Sequence, residues 1–258
     1  MRRMPVLTKN NPVAVVTGGL GDIGSEIAIR LVDDGFQVVA LDVGSDEDIR
    51  DRSEKVNARA SAPVTAVKAD QRDAADMQRL LGGLPRLDLV VISAATVQAQ
   101  PFLEIEKEAW DRQIDINLTG SFVTAQAAAR IMAAAETKGH LIFVSSWVAS
   151  RPWPEITSYS VSKAGVDQLM RQVALELAPL GIRANAIAPG IVKAGLAKHQ
   201  LETEPAYAAR VATAIPLGEL QTASDIANAV SFMASPGAST MTGTVLTVDG
   251  GCTLGQIR

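Results

Sequence analysis

Seven short, continuous apolar runs recur along this chain of 258 residues, at 13–16, 36–41, 64–67, 87–92, 141–144, 182–187 and 244–248. They are rich in β-branched residues and do not alternate with polar positions, which is how strands buried on both faces read. Helix-length stretches separate them, at 23–34, 46–60, 74–81, 114–135, 159–178 and 223–234. This alternation predicts an α/β fold: a doubly wound parallel seven-stranded sheet with helices on both faces and ligands at the carboxyl ends of the strands. Repeats, low-complexity tracts and linkers are absent from the pattern. A single domain over residues 1–258 is expected, with 1–10 as an N-terminal extension.

Composition narrows the partners. A net charge of −4 gives no electrostatic case for nucleic acid or an anionic membrane. Cys252 is the one cysteine, so no internal disulfide can form, which agrees with a reducing cytoplasm. No Cys/His cluster suggests a metal. Arg2 and Arg3 have no apolar stretch behind them, so no secretory signal is expected, and no run reaches the length of a membrane span.

Tyr159 and Lys163 are four apart and share one helix face with Val166, Met170, Val173 and Leu177. The pair should therefore face the sheet, at the end nearest the strand tips. A tyrosine of free pKa about 10 is a poor acid–base catalyst, and an ammonium one turn away favours the phenolate. Ser146 lies thirteen positions before the tyrosine, at the end of an apolar run, with Ser145 as an alternative hydroxyl. This is the pattern of a proton-transfer site that needs a hydride acceptor.

The first run supplies one. Thr17-Gly18-Gly19-Leu20-Gly21-Asp22-Ile23-Gly24 follows it and opens the first helix. Glycines there permit a tight turn and close approach to a pyrophosphate, and the helix N-terminus offers donors. Asp42 ends the second run, eighteen residues past Gly24, with no arginine or lysine before Arg50. A carboxylate there accepts the ribose hydroxyls of NAD and repels the 2′-phosphate of NADP, so NAD is the expected cofactor. Asp70, followed by Gln71, either meets the adenine amino group or caps the next helix with Asp73.

With these residues in place the chain resembles the short-chain dehydrogenase/reductases, in their compact single-domain branch of about 250 residues with a Rossmann-type sheet. The resemblance spans essentially the whole length. It rests on the glycine turn, Asn117 within Trp110…Asn117-Leu118-Thr119-Gly120, the Ser146–Tyr159–Lys163 spacing, Asn185-Ala186-Ile187-Ala188-Pro189-Gly190, and Val248-Asp249-Gly250-Gly251. It implies Tyr159 as general acid/base and Lys163 as the group that lowers its pKa and binds the nicotinamide ribose. Ser146 would hydrogen-bond the substrate oxygen, and Asn117 would hold a water linking Lys163 to solvent. Packing in a helix is the other reading of Asn117. The phenolate then takes the alcohol proton while hydride leaves the adjacent carbon for the nicotinamide, and reduction reverses both transfers. Pro189, Gly190 and Val192 complete the implied cofactor contacts.

Three positions depart from the pattern. Asp22 stands where the compact branch has glycine, and is expected to cap its helix or turn to solvent. Ile92-Ser93-Ala94-Ala95 replaces Asn-Asn-Ala-Gly after the fourth run, keeping only the alanine. Ala194 stands where a threonine would contact the carboxamide, leaving backbone such as that of Val192 to do so.

The resemblance builds the substrate pocket from Trp147, Val148, Trp153, Glu155 and a mobile helical lid at about 191–212 that contains Leu196. The tryptophans form an apolar wall or pack against the lid, His199 reads as a lid surface residue, and Glu155 could bind the hydroxyl of a polyol or sugar. The expected activity is hydride transfer between NAD(H) and a secondary alcohol or ketone. An NADPH-dependent 3-oxoacyl-thioester reductase and a non-catalytic NAD-binding sensor are the alternatives. An alanine-rich helix from residue 114, with the Tyr159 helix, suggests a homo-oligomer, dimer or tetramer, although those alanines could equally pack internally.

Overall fold

All seven apolar runs form strands, in one parallel sheet of order β3-β2-β1-β4-β5-β6-β7. The computed structural model describes residues 7, 8 and 10–255. The amino-terminal half contains β1 (Val13–Thr17), α1 (Asp22–Asp33), β2 (Gln37–Asp42), α2 (Asp46–Asn57), β3 (Val64–Lys68), α3 (Ala74–Gly82) and β4 (Leu89–Ile92). Then come α4 (Lys107–Ile114), α5 (Gly120–Ala134), β5 (His140–Val144), α6 (Thr157–Leu177) and β6 (Arg183–Pro189). The chain closes with α7 (Gly195–Thr203), α8 (Pro205–Ala214), α9 (Ala223–Ala234) and β7 (Val245–Val248). Of the expected extension, Thr8 donates its N–H to Gln37 Oε1 at 2.7 Å, and the rest lies mainly outside the described residues.

Alternate strand residues face opposite layers, which is why the runs read as continuous. Ala14, Val16, Val91, Ile142 and Ile187 pack against Ile27 and Leu31 of α1 and Val230 and Met233 of α9. Val15, Val90, Leu141 and Phe143 pack on the other side against Met77 of α3, Met132 of α5 and Met170 of α6. Each such large side chain, fully buried, contributes roughly 1.5–3 kcal/mol of transfer free energy. Strand order reverses between β1 and β4, and at that switch point the carboxyl ends diverge into a crevice.

Two helical boundaries differ from the sequence reading. The stretch expected as one helix over 114–135 is instead the end of α4, a π turn at Asp115–Thr119, and α5. The stretch expected as a lid holds two helices, split where Pro205 starts α8, since proline tolerates a first turn but not a helix interior.

Candidate active site

One cleft of about 600 Å³ runs across the carboxyl ends of the strands, lined at one end by the glycine turn and at the other by α7 and α8. β5 ends at Val144 and delivers Ser145 and Ser146 to its floor, and the first turns of α6 bring Tyr159 and Lys163 there. Ser146 stands near enough to the Tyr159 hydroxyl to favour its ionised form. Ser145 instead turns beneath, to the Lys163 carbonyl at 3.5 Å and to Asp167. Ser146 is therefore the serine beside the tyrosine.

Lys163 Nζ donates to the Val144 carbonyl at 2.7 Å and lies 5.6 Å from the centre of the Tyr159 ring. Burial pushes the ammonium down to about 8, partly offset by Asp167 four residues on. The expected depression of the tyrosine is not what the surroundings produce. Burial pushes Tyr159 up to about 12, opposed by Ser146. A neutral phenol is the cheaper form in this dry site, and the lysine charge is directed to a carbonyl rather than to the phenol oxygen.

Asn117 sits in the π turn, fully buried and set back from the cleft wall. Its Nδ2 donates to the Thr96 carbonyl at 2.9 Å and to Ser162 Oγ at 3.0 Å, and its Oδ1 accepts from the Thr96 N–H at 2.8 Å. Both amide hydrogens are thus used in bracing the segment after β4 against α6. Its own carbonyl accepts from Ser121 Oγ at 2.6 Å.

At the other end the turn fits a dinucleotide. Gly18 has φ +63°, and a Cβ on it would come within 2.8 Å of Ala94 Cα; a Cβ on Gly24 would collide with the Gly18 carbonyl. Gly21, Asp22, Ile23 and Gly24 line the cleft around the N-terminus of α1, whose first-turn N–H groups have no intrahelical acceptor. Leu20 is buried in the core, outside the cleft lining, and its N–H goes to Asp42 Oδ2 at 2.9 Å. Asp22 caps a different helix from the one expected. Its Oδ2 accepts from the Gly195 N–H at 2.8 Å, at the start of α7, while α1 has Gly21 as its N-cap and no side-chain cap.

Asp42 lines the cleft and also accepts from the Val43 N–H at 2.8 Å. The sequence placed no cation nearby, but α2 carries Arg52 back over it, with Nη1 3.2 Å from Asp42 Oδ1. Arg52 Nη2 is held by the Val43 carbonyl at 2.6 Å and Asp48 at 2.7 Å. The α3 cap belongs to Asp73, which accepts from the Asp76 N–H at 2.9 Å. Asp70 lines the cleft, and the Arg72 guanidinium beside it holds its carboxyl below the usual range. Gln71 lines the cleft too, but its side chain is committed, donating to Ala94 and Ile116 carbonyls and accepting from Thr17 Oγ1. Thr17 Oγ1 in turn accepts the N–H groups of Ser93 and Ala94, both at 3.1 Å. That hydroxyl holds the altered Ser93–Ala95 loop in the cleft wall. Pro189, Gly190 and Val192 line the same wall.

The substrate end is aromatic. Trp147 and Trp153 meet edge to face at 5.2 Å, and Val148, Ile156, Tyr159, Tyr207 and Ala197 join them in one apolar cluster. Val148, Trp153 and Leu196 line the cleft as expected from the sequence, and His199 is exposed on α7. Glu155 adopts φ +67°, and its carboxylate lies 3.4 Å from Arg210 Nη2.

A family model described as Enoyl-(Acyl carrier protein) reductase matches residues 19–253. The chain belongs to the short-chain dehydrogenase/reductase family. Two similar members are "3beta-hydroxysteroid dehydrogenase 1" of Eggerthella lenta, 35% identical over 93% of each chain, and "Cis-4-hydroxycyclohexanecarboxylate dehydrogenase" of Sinomonas cyclohexanicum, 36% identical over 93% of this chain and 96% of that one. Among solved structures, an actinorhodin polyketide ketoreductase with NADPH superposes with a TM-score of 0.88, at 27% identity over 96% and 99% of the two chains.

This short-chain dehydrogenase/reductase is an oxidoreductase whose fold binds a nicotinamide cofactor. Several of its cleft residues escaped the motif reading: Arg52, Arg112, Gln200 and Arg210 all line the wall. Each is a long side chain brought in by a helix. No spacing rule ties such residues to the glycine turn or the tyrosine.

Proposed function

We propose that the protein transfers hydride between NAD(H) and a secondary alcohol or its ketone carried on an apolar, alicyclic frame. The observation that supports this most directly is the grouping of Ser146, Tyr159 and Lys163 on the cleft floor, next to a glycine turn shaped for a pyrophosphate. The bound nicotinamide would supply the hydride donor or acceptor. The chain's own residues handle the proton. Tyr159 delivers its hydroxyl proton to the carbonyl oxygen in reduction and takes it from the alcohol in oxidation, with Ser146 orienting that oxygen. Lys163, cationic at neutral pH from its value of about 8, stays bonded to the Val144 carbonyl, and its field one helix turn from the phenol favours negative charge as it develops there. Because the Asn117 side chain is fully engaged, a water link to Lys163 would rest on main-chain carbonyls of the π turn.

Gly18, Gly21 and Gly24 would admit the pyrophosphate, Asp42 the adenosine ribose, and Asp70 the adenine. The tryptophan wall suits an apolar ring better than a polyol or sugar. Relatives named for a hydroxysteroid and a hydroxycyclohexanecarboxylate agree with that choice. Exposed Phe122 on α5 and Val161 on α6 support a homo-oligomer built on those helices.

An NADPH-dependent ketoacyl reductase is the second reading, favoured by Arg52 beside the ribose position and by the ketoreductase neighbour with NADPH. Asp42 weighs against it. A sensor without activity has no need for the complete proton-transfer group. Tyr159→Phe tests the central reading. Turnover of secondary alcohols with NAD should fall by at least about 100-fold, the usual loss for a general acid/base. NADH affinity, read by fluorescence titration, should hold. Undiminished turnover would exclude the mechanism.

A further inference from the structure

We propose that Arg210 receives a carboxylate of the substrate, so that the preferred alcohol is an alicyclic hydroxy acid with its hydroxyl at Tyr159 and its carboxylate on α8; this rests on the dehydrogenase reading above. Arg210 lines the cleft. Its guanidinium carbon lies 5.9 Å from the centre of the Trp153 ring and 5.8 Å from that of Tyr207. Stacking on two aromatic faces fixes the orientation of the fork and lowers the entropy a bound anion must overcome. Trp153, Tyr207 and Tyr159 belong to one apolar cluster, so the cation and the phenol border the same wall of the cleft. A ligand spanning that wall must be apolar in the middle and an acceptor at its far end.

The guanidinium is under-used. Its Nε is buried without a hydrogen-bond partner. Its one ion pair among the described residues, to Glu155 Oε2, is 3.4 Å long, beyond the 2.7–2.9 Å typical of charge-assisted hydrogen bonds, and both side chains are substantially exposed. Such a pair contributes little and yields readily. Nε and Nη2 share one edge of the fork, which matches the two oxygens of a planar carboxylate. Glu155 sits on a left-handed backbone, and its carbonyl accepts from the Gln100 N–H at 2.6 Å. Its carboxylate can swing to solvent while that hydrogen bond holds the main chain in place.

The test compares cis-4-hydroxycyclohexanecarboxylate with its methyl ester as substrates of the full chain with NAD. The wild type should favour the acid in kcat/KM. Arg210→Met should collapse the acid-to-ester ratio by about 30-fold, the loss expected for one charged hydrogen-bonded contact, and Arg210→Lys should restore part of it. Calorimetry with non-reacting cyclohexanecarboxylate, in the presence of NADH, gives a readout independent of turnover: binding to the wild type and not to Arg210→Met. If the ester is turned over as well as the acid, or both fall together in Arg210→Met, Arg210 only packs and the proposal is overturned. Collapse of the ratio in Arg112→Met instead would place the carboxylate on α4 and overturn it too. If neither compound is oxidised but carboxylate binding is lost in Arg210→Met, the anion site stands and the dehydrogenase reading fails.

Discussion

The Asp22 carboxylate, in the glycine turn, caps Gly195 at the start of α7, accepting its N–H at 2.8 Å across 173 residues of sequence. The residue before Gly195 is Ala194, which has no side-chain acceptor to cap the helix itself. Two departures from the family pattern thus meet: an acid in place of a glycine stands in for the capping a hydroxyl residue could have given. A carboxylate at a helix N-terminus also complements the partial positive charge there.

Removing that cap should loosen α7 without unfolding the sheet. Asp22→Ala is expected to cost about 1 kcal/mol locally, the usual value of a lost N-cap. Hydrogen exchange of the amides in Gly195–Thr203 should then accelerate about fivefold, with exchange of the β1 and β5 amides unchanged. Asp22→Asn, which keeps an acceptor oxygen, should lie nearer the wild type. Equal protection of α7 in all three proteins would show the contact to be energetically idle.

The fold was legible because buried parallel strands leave an unambiguous trace, continuous apolar runs between amphipathic stretches. The grouping of Ser146, Tyr159 and Lys163 in one cleft was legible because one helix turn ties Tyr159 to Lys163, and Ser146 follows directly on β5. Legibility failed where the deciding contact is distant in sequence. Asp22 finds Gly195, Arg52 returns over Asp42 by way of α2, and Arg210 reaches Trp153 from α8. The helix α4 was missed because its stretch is largely charged and exposed, so its periodicity is faint. The π turn was hidden for a related reason: one widened turn barely disturbs an apolar pattern, yet it determines where Asn117 points.

On the proposed function, Arg52 beside Asp42 would make cofactor choice at β2 a matter of charge balance. With Asp42 present, the guanidinium is engaged by Asp42, Asp48 and the Val43 carbonyl. Replacing Asp42 by serine removes one anion and leaves a cation within reach of a 2′-phosphate. Asp42→Ser is therefore expected to weaken NADH and tighten NADPH, each by about tenfold, or roughly 1.4 kcal/mol. Adding Arg52→Met should abolish the gain for NADPH and leave the loss for NADH. Fluorescence titrations on the four proteins of this cycle measure the coupling. If NADPH tightens to the same degree without Arg52, the arginine has no part in discrimination.

His140, which opens β5, is held neutral by its surroundings. Arg183 Nη2 lies 3.1 Å from Nδ1, and a guanidinium can only donate, so a doubly protonated ring is opposed here. Asn185 Nδ2 stands 2.9 Å from Nε2, its amide fixed by the Met241 carbonyl and the Thr244 N–H. Burial, reinforced by the Arg183 charge, pushes the imidazole down to about 3. In the unfolded chain it titrates near 6.5. Between those values the unfolded state binds the extra proton, so stability falls as pH drops through this window and is unaffected by His140 above it. From pH 7 to pH 5 the loss attributable to this residue should be about 2 kcal/mol. His140→Gln removes the titration while keeping polar atoms in place. Although it will start less stable at pH 7, its urea midpoint should decline less steeply on acidification, by an amount equivalent to those 2 kcal/mol. Parallel declines in the two proteins, measured at one protein concentration, would assign the acid sensitivity to other groups.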